Sequence, residues 1–304
     1  LKKLDEAIAD YKTYLRLNNG NISARVRYAA FLFLAGKHQD ALTEIEDIEK
    51  TNPNMLLVKR IRGYCEYELG QFDKARVTLE WYFSKQTENK FIWSDYDYMG
   101  KSLLKTGGDS LSIDFFIKLL IKDPTKRTVV GEVGANLYKD KKYRLALRLF
   151  EAIVKLAKPE CNDYFYIGKS AEKVNLLQKA DTAYTKYIEC NSEVYQGYWW
   201  RGKVRAMMDS KTETWAAKPD YEKAIELAEK LDSIKLKASL KEIQYCYFYL
   251  GSYYWLKEKN FPMAKCYFSK LVAKCLELEK GKEAAGFLES RQELKNAVLP
   301  EDCK

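Results

Sequence analysis

Small residues recur in this sequence at intervals close to 34 positions, and this period constrains the fold more than any other feature. The first series has spacings of 34, 34, 37, 34, 34, 44 and 40 positions, and its members are Ala7, Ala41, Ala75, Ser112, Ala146, Ala180, Ala224 and Ala264. A period of roughly 20 to 50 residues is typical of repeat proteins, whose repeats bury their apolar faces against neighbouring repeats. The sequence therefore predicts an array of similar repeats.

A second series of small residues precedes the first at a nearly constant offset. The offset is twelve positions, with thirteen at the last member and about ten additional residues after Gly202, and the members are Ala29, Gly63, Gly100, Gly134, Gly168, Gly202 and Gly251. Bulky residues follow the first series after four and seven positions, as in Leu79 with Tyr82. Such spacing marks one helical face, and small residues let two helices cross closely. Each repeat is thus predicted to be a helical hairpin.

Turn-forming residues separate the two helices of a repeat, and Pro marks several helix ends. The turns contain Ala35-Gly36, Leu69-Gly70 and Thr106-Gly107-Gly108, and the ends contain Asn52-Pro53, Asp123-Pro124 and Lys158-Pro159. These residues either adopt left-handed backbone angles or cannot continue a helix. Only six prolines and fifteen glycines occur in 304 residues, and 47% of the residues are hydrophobic. This composition favours a folded helical protein over a loop-rich sandwich or a disordered chain.

The pattern resembles the tetratricopeptide repeat (TPR), whose signature has a small residue at position 8, Ala at position 20, a bulky residue at position 24 and often Pro at position 32. The segment from Tyr64 to Ala75, YCEYELGQFDKA, shows this signature most plainly. Pentatricopeptide and Sel1-like repeats have longer periods and fit less well. The resemblance implies an all-α fold, a right-handed α–α superhelix (solenoid) of about seven TPR hairpins with terminal capping helices. It also implies a non-catalytic scaffold that binds other proteins.

The repeats can be placed along almost the whole chain. We predict the second helix of a partial TPR at 1–21, followed by TPR repeats at 22–55, 56–92, 93–126, 127–160, 161–194, 195–241 and 242–280, and a C-terminal capping helix at 281–304. The sixth repeat contains an inserted loop around Ser210 to Trp215, and we expect Trp215 to pack over its own hairpin. Residues 283 to 299 are expected to form one amphipathic helix. The unpaired helix at residues 4 to 17 offers an alternative role, self-association.

In TPR proteins, positions 2, 5, 9, 12 and 13 of a repeat usually face the concave groove, so the resemblance assigns candidate partner-binding residues. They combine lysines or arginine with aromatic rings, and are Arg60, Tyr64, Tyr67, Lys101, Lys105, Tyr138, Lys139, Phe165, Lys169, Lys173, Trp199, Lys203, Phe248 and Trp255. A basic and aromatic groove suits an extended peptide or protein segment that is acidic and rich in bulky or aromatic side chains. The asparagines of the family's two-carboxylate clamp are missing at the matching positions.

Catalysis is not expected, and neither is a cofactor or a metal. The single histidine, His38, lies near a turn without Cys, His or carboxylate neighbours at ligand spacing, and no Gly-rich phosphate loop occurs. The net charge of +9 leaves an alternative function open, a module that binds nucleic acid or another polyanion, which we consider less favoured than protein binding. No apolar run approaches the roughly 20 residues that span a bilayer.

Seven cysteines do not form CxxC pairs, but two pairs share a spacing of 29 positions: Cys161 with Cys190, and Cys246 with Cys275. Each pair lies at the start of a first helix and the end of a second helix, so a disulfide at the base of each hairpin is conceivable. The favoured interpretation is reduced thiols that pack as small apolar groups. Reduced thiols would indicate the cytoplasm and bonded ones a bacterial envelope or periplasm, so the localisation stays open.

Overall fold

The computed structural model describes residues 2–18 and 21–303, and no β-strand occurs among them. The chain divides into two compact units, an N-terminal unit of residues 1–136 with 151–158 and a C-terminal unit of residues 137–150 with 159–304. Two helices, α8 (Arg127–Lys139) and α9 (Tyr143–Leu156), contribute residues to both units.

The N-terminal unit begins with α1 and continues with three helical hairpins. Its helices are α1 (Lys2–Leu17), α2 (Ile22–Leu34), α3 (His38–Glu49), α4 (Leu56–Glu68), α5 (Phe72–Lys85), α6 (Trp93–Lys105) and α7 (Asp109–Lys122). Short 3₁₀ helices lie at Glu88–Lys90 and Pro124–Lys126. Helices α2 and α3, α4 and α5, and α6 and α7 pack as pairs, and each pair also packs on the next.

The C-terminal unit repeats this arrangement and ends with two short helices. Its helices are α10 (Cys161–Lys173), α11 (Leu177–Cys190), α12 (Tyr195–Met208), α13 (Lys218–Glu229), α14 (Ser233–Leu256), α15 (Phe261–Cys275), α16 (Glu279–Ser290) and α17 (Gln292–Asn296), followed by a 3₁₀ turn at Glu301–Cys303. The pairs α10 and α11, α12 and α13, and α14 and α15 pack as hairpins. The prediction of an all-helical array of consecutive hairpins is confirmed.

The two series of small residues mark the places where the helices of a hairpin approach closely. A Cβ atom on Gly168 in α10 would lie 2.4 Å from the ring of Tyr184 in α11, and one on Gly63 in α4 would lie 2.7 Å from the side chain of Leu79 in α5. Tyr184 and Leu79 are fully buried. A larger residue at either glycine would therefore push the helices apart, which explains the spacing that the sequence repeats.

Helix α14 begins earlier than the repeat period predicts. The seventh repeat was predicted to begin at residue 242, but α14 starts at Ser233. The side chain of Asp232 accepts a hydrogen bond of 2.9 Å from the Lys235 amide and caps the helix. The added turns pack Leu240 against the core of the unit and bury Ile243 within it. The period alone could not show this extension, because it locates only the hairpin crossing.

The expected single capping helix at residues 283 to 299 is instead two helices, α16 and α17. The chain becomes extended at Arg291, whose guanidinium lies over the rings of Trp255 and Phe287 at 5.3 and 5.8 Å. This break lets α17 bury Leu294 completely. The two capping helices therefore extend from Glu279 to Asn296, and not over residues 283 to 299 as one helix.

The inserted loop of the sixth repeat is held in place by Asp209 and Trp215. The carboxylate of Asp209 accepts a hydrogen bond of 2.6 Å from the Trp215 amide, and the Trp215 side chain is only 5% exposed. Its ring meets Tyr249 and Tyr253 at centroid distances of 5.1 and 5.4 Å. The loop therefore packs on α14, the next first helix, whereas the sequence suggested its own hairpin.

One disulfide joins Cys266 in α15 to Cys303, with their Cα atoms 5.6 Å apart. Cys65, Cys161, Cys190, Cys246 and Cys275 are free thiols. Neither pair with a spacing of 29 positions is bonded. Cys246 and Cys275 are buried, as the favoured interpretation expects, whereas Cys190 is exposed and Cys161 partly exposed. The sequence did not predict this disulfide because Cys303 lies beyond the last repeat, so the repeat pattern could not show which cysteine it lies next to.

Candidate functional site

Two of the predicted binding residues in the N-terminal unit are used in internal contacts. In α4, Arg60 pairs with the buried carboxylate of Asp95 at 3.0 Å and its Nε donates to the Tyr82 hydroxyl at 3.0 Å. The Tyr64 hydroxyl donates to Asp95 at 2.6 Å, and Tyr64 is only 5% exposed. These side chains join α4, α5 and α6, and they leave little surface for a ligand.

Of the other three predicted residues of this unit, Lys101 is paired with a carboxylate, and Lys105 and Tyr67 contact aromatic rings. The ammonium of Lys101 lies 2.7 Å from Asp97 Oδ2, one helical turn earlier in α6. Lys105 Nζ lies 5.5 Å from the centroid of the Phe72 ring, and Tyr67 packs edge-on against Tyr98 at 5.6 Å. Burial raises the pKa of the Asp97 carboxyl, while the charge of Lys101 opposes this change. The charge of Lys101 is therefore already paired with Asp97 within the protein.

The C-terminal unit presents a different arrangement around Lys169. Phe165 and Lys169 are one turn apart on α10, and Trp199 and Lys203 are one turn apart on α12, so helix geometry places each ring beside a lysine. Lys169 Nζ lies 4.4 Å from the centroid of Trp200, 5.7 Å from Trp199 and 5.9 Å from Phe165. We call Phe165, Lys169, Trp199, Trp200 and Lys203 the Lys169 surface.

The charge on Lys169 is poorly compensated. The pKa of the Lys169 ammonium is lowered to about 8, mainly by burial among the rings. The positive charges of Lys203 and Lys173 act in the same direction, whereas Glu172 and Glu242 oppose the change. Within residues 2–18 and 21–303, Lys169 takes part in no ion pair. The ring faces stabilise the cation in part, because their quadrupoles attract positive charge.

The nearest carboxylate, Glu172, is directed to other partners. Lys203 Nζ lies 2.6 Å from Glu172 Oε1, and the Tyr184 hydroxyl donates to Oε2 at 2.9 Å. Although burial opposes it, the hydrogen bond from Lys203 and the neighbouring positive charges lower the pKa of Glu172. Glu172 therefore stays ionised and neutralises Lys203, which leaves the charge of Lys169 available. Lys173, at the end of α10, is exposed.

The remaining predicted residues lie elsewhere in the C-terminal unit. Tyr138 packs against Tyr143 and Tyr166 at 5.2 and 5.7 Å, and Lys139 is exposed beside it. Phe248 and Trp255 of α14 meet Phe287 of α16 at 5.8 and 5.2 Å, and Trp255 Nε1 donates to Glu293 Oε1 at 3.1 Å. Helices α16 and α17 therefore contact these two rings.

Trp200 is the one member of the Lys169 surface that the sequence did not identify. It does not occupy a position that usually faces the groove in the family, yet its ring is the closest to Lys169 Nζ. It also meets Phe165 and Tyr187, at 5.0 and 5.5 Å. The adjacent pair Trp199-Trp200 was the available signal in the sequence. Two neighbouring tryptophans on one helix point in different directions, so together their large rings cover a wide part of the helix surface.

Other chemistry has little support in the described parts of the chain. His38 is the first residue of α3, with Phe33 at 5.5 Å between ring centroids. No group of three or more His, Cys, Asp or Glu side chains in those parts is arranged to hold a metal ion. None of the helices described is both long enough and apolar enough to cross a membrane.

Consecutive helical hairpins, several of them with a glycine against a bulky side chain where the helices cross, define a helical-repeat protein of the α–α type. A sequence profile of the tetratricopeptide repeat family matches residues 1–63. Residues 1–63 therefore match the TPR family, and the resemblance predicted from the sequence is confirmed.

A solved structure supports the same fold over most of the chain. The C-terminal part of a TPR repeat-containing protein from Cytophaga hutchinsonii is 27% identical, with a TM-score of 0.53 over 85% of this chain and 98% of that one. Two more distant matches are MamA from Desulfovibrio magneticus RS-1 (23% identity, 59% and 97% coverage, TM-score 0.35) and yeast Sti1 in complex with an Hsp90 peptide (14%, 76% and 98%, 0.36). No curated protein sequence matches.

Proposed function

We propose that this protein is a scaffold that binds a partner protein by holding an extended acidic segment of it on the Lys169 surface. The TPR fold is typical of protein–protein interaction. The observation that supports the site is the ammonium of Lys169, which lies 4.4 Å from the centroid of Trp200 and has no carboxylate partner among the described residues. An acidic side chain of the partner would supply the missing opposite charge.

The Lys169 surface is expected to prefer an acidic segment because the Lys169 ammonium is already partly desolvated. Pairing it with a carboxylate therefore requires little further desolvation of the lysine. A ligand carboxylate that reaches Lys169 loses some water but restores the positive form of the amine, and charge-assisted hydrogen bonds are stronger than neutral ones. The faces of Phe165 and Trp199 can bury a neighbouring apolar or aromatic side chain with little loss of rotamer freedom. An acidic and aromatic-rich peptide satisfies both requirements.

The test is a fluorescence-polarisation screen of labelled 12-residue peptides that vary in acidic and aromatic content. We expect the double substitution Lys169→Glu with Lys203→Glu to weaken the tightest peptide at least about tenfold, since it reverses two charges. Trp199→Ala should weaken it by a similar factor. The matched control is Lys211→Glu with Lys237→Glu, which makes the same charge change at two exposed lysines of the same unit. Equal losses in both double variants would rule out the Lys169 surface.

Binding of nucleic acid is the alternative outcome of the same screen. A single-stranded oligonucleotide held through several phosphates should lose most of its affinity between about 50 and 200 mM salt, because condensed counterions are released on binding. A peptide anchored by one ion pair and aromatic contacts should lose much less. An oligonucleotide that outcompetes every peptide would overturn the proposal.

Self-association through α1 stays a separate prediction. Tyr11 of α1 stacks on Tyr28 and Phe31 of α2 at 5.1 and 5.9 Å, while Tyr14 and Leu17 are exposed. Light scattering over a range of concentrations tests it, with Leu17→Glu as the variant that should keep the protein monomeric.

A further inference from the structure

Cys161 and Cys190 lie at the same end of the hairpin formed by α10 and α11. Cys161 is the first residue of α10, and Cys190 is the last residue of α11. One turn inward, Phe165 lies on the face of Cys161 and Tyr187 on the face of Cys190, and their ring centroids are 6.3 Å apart. The two cysteines therefore form the next pair of facing residues towards the open end of the hairpin.

The two thiols interact directly and are accessible. Cys190 is exposed, and Cys161 is partly exposed. The neighbouring Cys161 raises the pKa of the Cys190 thiol to about 11. This pair thus places two accessible thiols at the same end of one hairpin.

The other free cysteines differ from Cys161 and Cys190 in their exposure to solvent. Cys65, Cys246 and Cys275 are buried. Burial raises the pKa of Cys65 to about 12 and also raises the pKa of Cys246 and of Cys275. Cys246 and Cys275 have the same spacing of 29 positions as Cys161 and Cys190, so they form a matched internal control.

We propose that Cys161 and Cys190 are a reversible modification site, which a low-molecular-weight disulfide such as oxidised glutathione converts into an intramolecular disulfide. The Cys161 thiolate attacks one glutathione sulfur, and one glutathione thiolate leaves. Cys190 then gives its proton to solvent and attacks the Cys161 sulfur, and the second glutathione thiolate leaves. The protein loses two electrons and two protons, and oxidised glutathione becomes two glutathione thiols.

The bond would close the hairpin one turn away from Phe165, a member of the Lys169 surface. It would restrict α10 against α11 in the folded state and shorten the unfolded chain by a loop of 29 positions. We therefore expect the oxidised protein to melt at a higher temperature than the reduced one. This proposal concerns the hairpin itself and does not depend on what the Lys169 surface binds.

The experiment treats the full chain with oxidised glutathione, alkylates the remaining thiols and digests the protein with trypsin. Lys169 and Lys186 separate the two cysteines into different peptides, so a disulfide appears as a crosslinked pair in the mass spectrum. We expect this pair, with Cys246 and Cys275 still alkylated. In Cys190→Ser, glutathione should remain on Cys161, and oxidation should no longer raise the melting temperature.

Three results would contradict the proposal. The first is glutathione on Cys161 and Cys190 separately, without a crosslink, because it would show that the thiols cannot reach each other. The second is equal crosslinking of the Cys246 and Cys275 pair, because it would show that exposure and position do not select the site. Alkylation of Cys161 and Cys190 after prolonged treatment counts against it in the same way.

Discussion

Lys101 in the N-terminal unit and Lys169 in the C-terminal unit occupy the same position of their repeats, yet their surroundings differ. One turn before Lys101 stands Asp97, which binds its ammonium at 2.7 Å. One turn before Lys169 stands Phe165, whose ring lies 5.9 Å from the ammonium. The same residue type is a structural partner in one unit and a candidate contact in the other. The residue one turn earlier decides which role a groove lysine has.

A similar difference separates the acidic residues of the two units. In the N-terminal unit, Asp95 receives Arg60 and the Tyr64 hydroxyl, so cations and hydroxyls of the predicted groove satisfy a buried carboxylate. In the C-terminal unit, Glu172 pairs with Lys203 and accepts a hydrogen bond from Tyr184. The nearby Lys169 is an additional lysine that Glu172 does not pair with. The proposed binding surface therefore contains a lysine beyond the one that Glu172 pairs with, whereas the network around Asp95, as far as the structure describes the chain, contains no such surplus cation.

The largest expected effect comes from breaking the network of the N-terminal unit. Asp95→Ala removes a fully buried carboxylate and leaves Arg60 and Tyr64 without their partner. We expect the free energy of unfolding to fall by about 3–5 kcal/mol, measured by urea denaturation. Asp10→Ala, which removes an exposed carboxylate from α1 of the same unit, should change it by less than about 0.5 kcal/mol. Similar values for both would show that the network contributes little.

The next effect is the pH dependence of peptide binding. Because the pKa of Lys169 is lowered to about 8, the ammonium is mostly present at pH 7 and mostly lost at pH 9. An acidic peptide that requires the cation should therefore bind about tenfold more weakly at pH 9 than at pH 7. Isothermal titration at both values, with Lys169→Arg as the variant that stays charged, measures this. The decrease should disappear in Lys169→Arg, and an equal decrease there would contradict the assignment.

A smaller effect compares the two lysines directly. Lys101→Met leaves the side chain of Asp97, which is 4% exposed, without its cation, and we expect a loss of about 1–3 kcal/mol in the free energy of unfolding. Lys169→Met removes a charge that burial disfavours, so the stability should stay unchanged or increase slightly. Thermal and urea unfolding of the two variants at pH 7 measures this difference. A lower stability of Lys169→Met than of Lys101→Met would contradict the prediction.

The smallest effect concerns the turns within hairpins. Gly70 in the N-terminal unit has φ of +74°, whereas Lys141 in the C-terminal unit adopts φ of +62°. Gly70→Ala should lower stability by about 1 kcal/mol, because a Cβ atom disfavours the left-handed region. Lys141→Gly should raise it by a few tenths of a kcal/mol, since the relief is partly offset by the flexible unfolded chain. Melting temperatures that shift in the same direction would contradict this.

The sequence predicts the hairpins well because their crossing points depend on local residues. Helices α2, α4, α6, α8, α10 and α12 begin at the residues where the predicted repeats begin. Features that depend on the sequence outside the repeat were less accessible. The early start of α14 depends on an Asp232 cap, and the break at Arg291 depends on contacts with Trp255 and Phe287.

The candidate site was only partly predictable for a related reason. Family positions identify which side chains can face a groove, but they do not show which of them are consumed by neighbours. Arg60 and Tyr64 fit the pattern, yet Asp95 lies 31 positions after Tyr64 and engages both. Checking the residue four positions before each lysine would have separated Lys101 from Lys169 in the sequence alone.

The disulfide between Cys266 and Cys303 has a mechanical consequence. A pulling force applied at Cys303 would pass through the sulfur bridge directly to α15, because the covalent link is shorter than the path of 37 residues between the two cysteines. Helices α16 and α17 would then carry no load while α15 does. Under tension, the segment from Cys266 to Cys303 would behave as a closed ring that resists unravelling until the bridge is reduced.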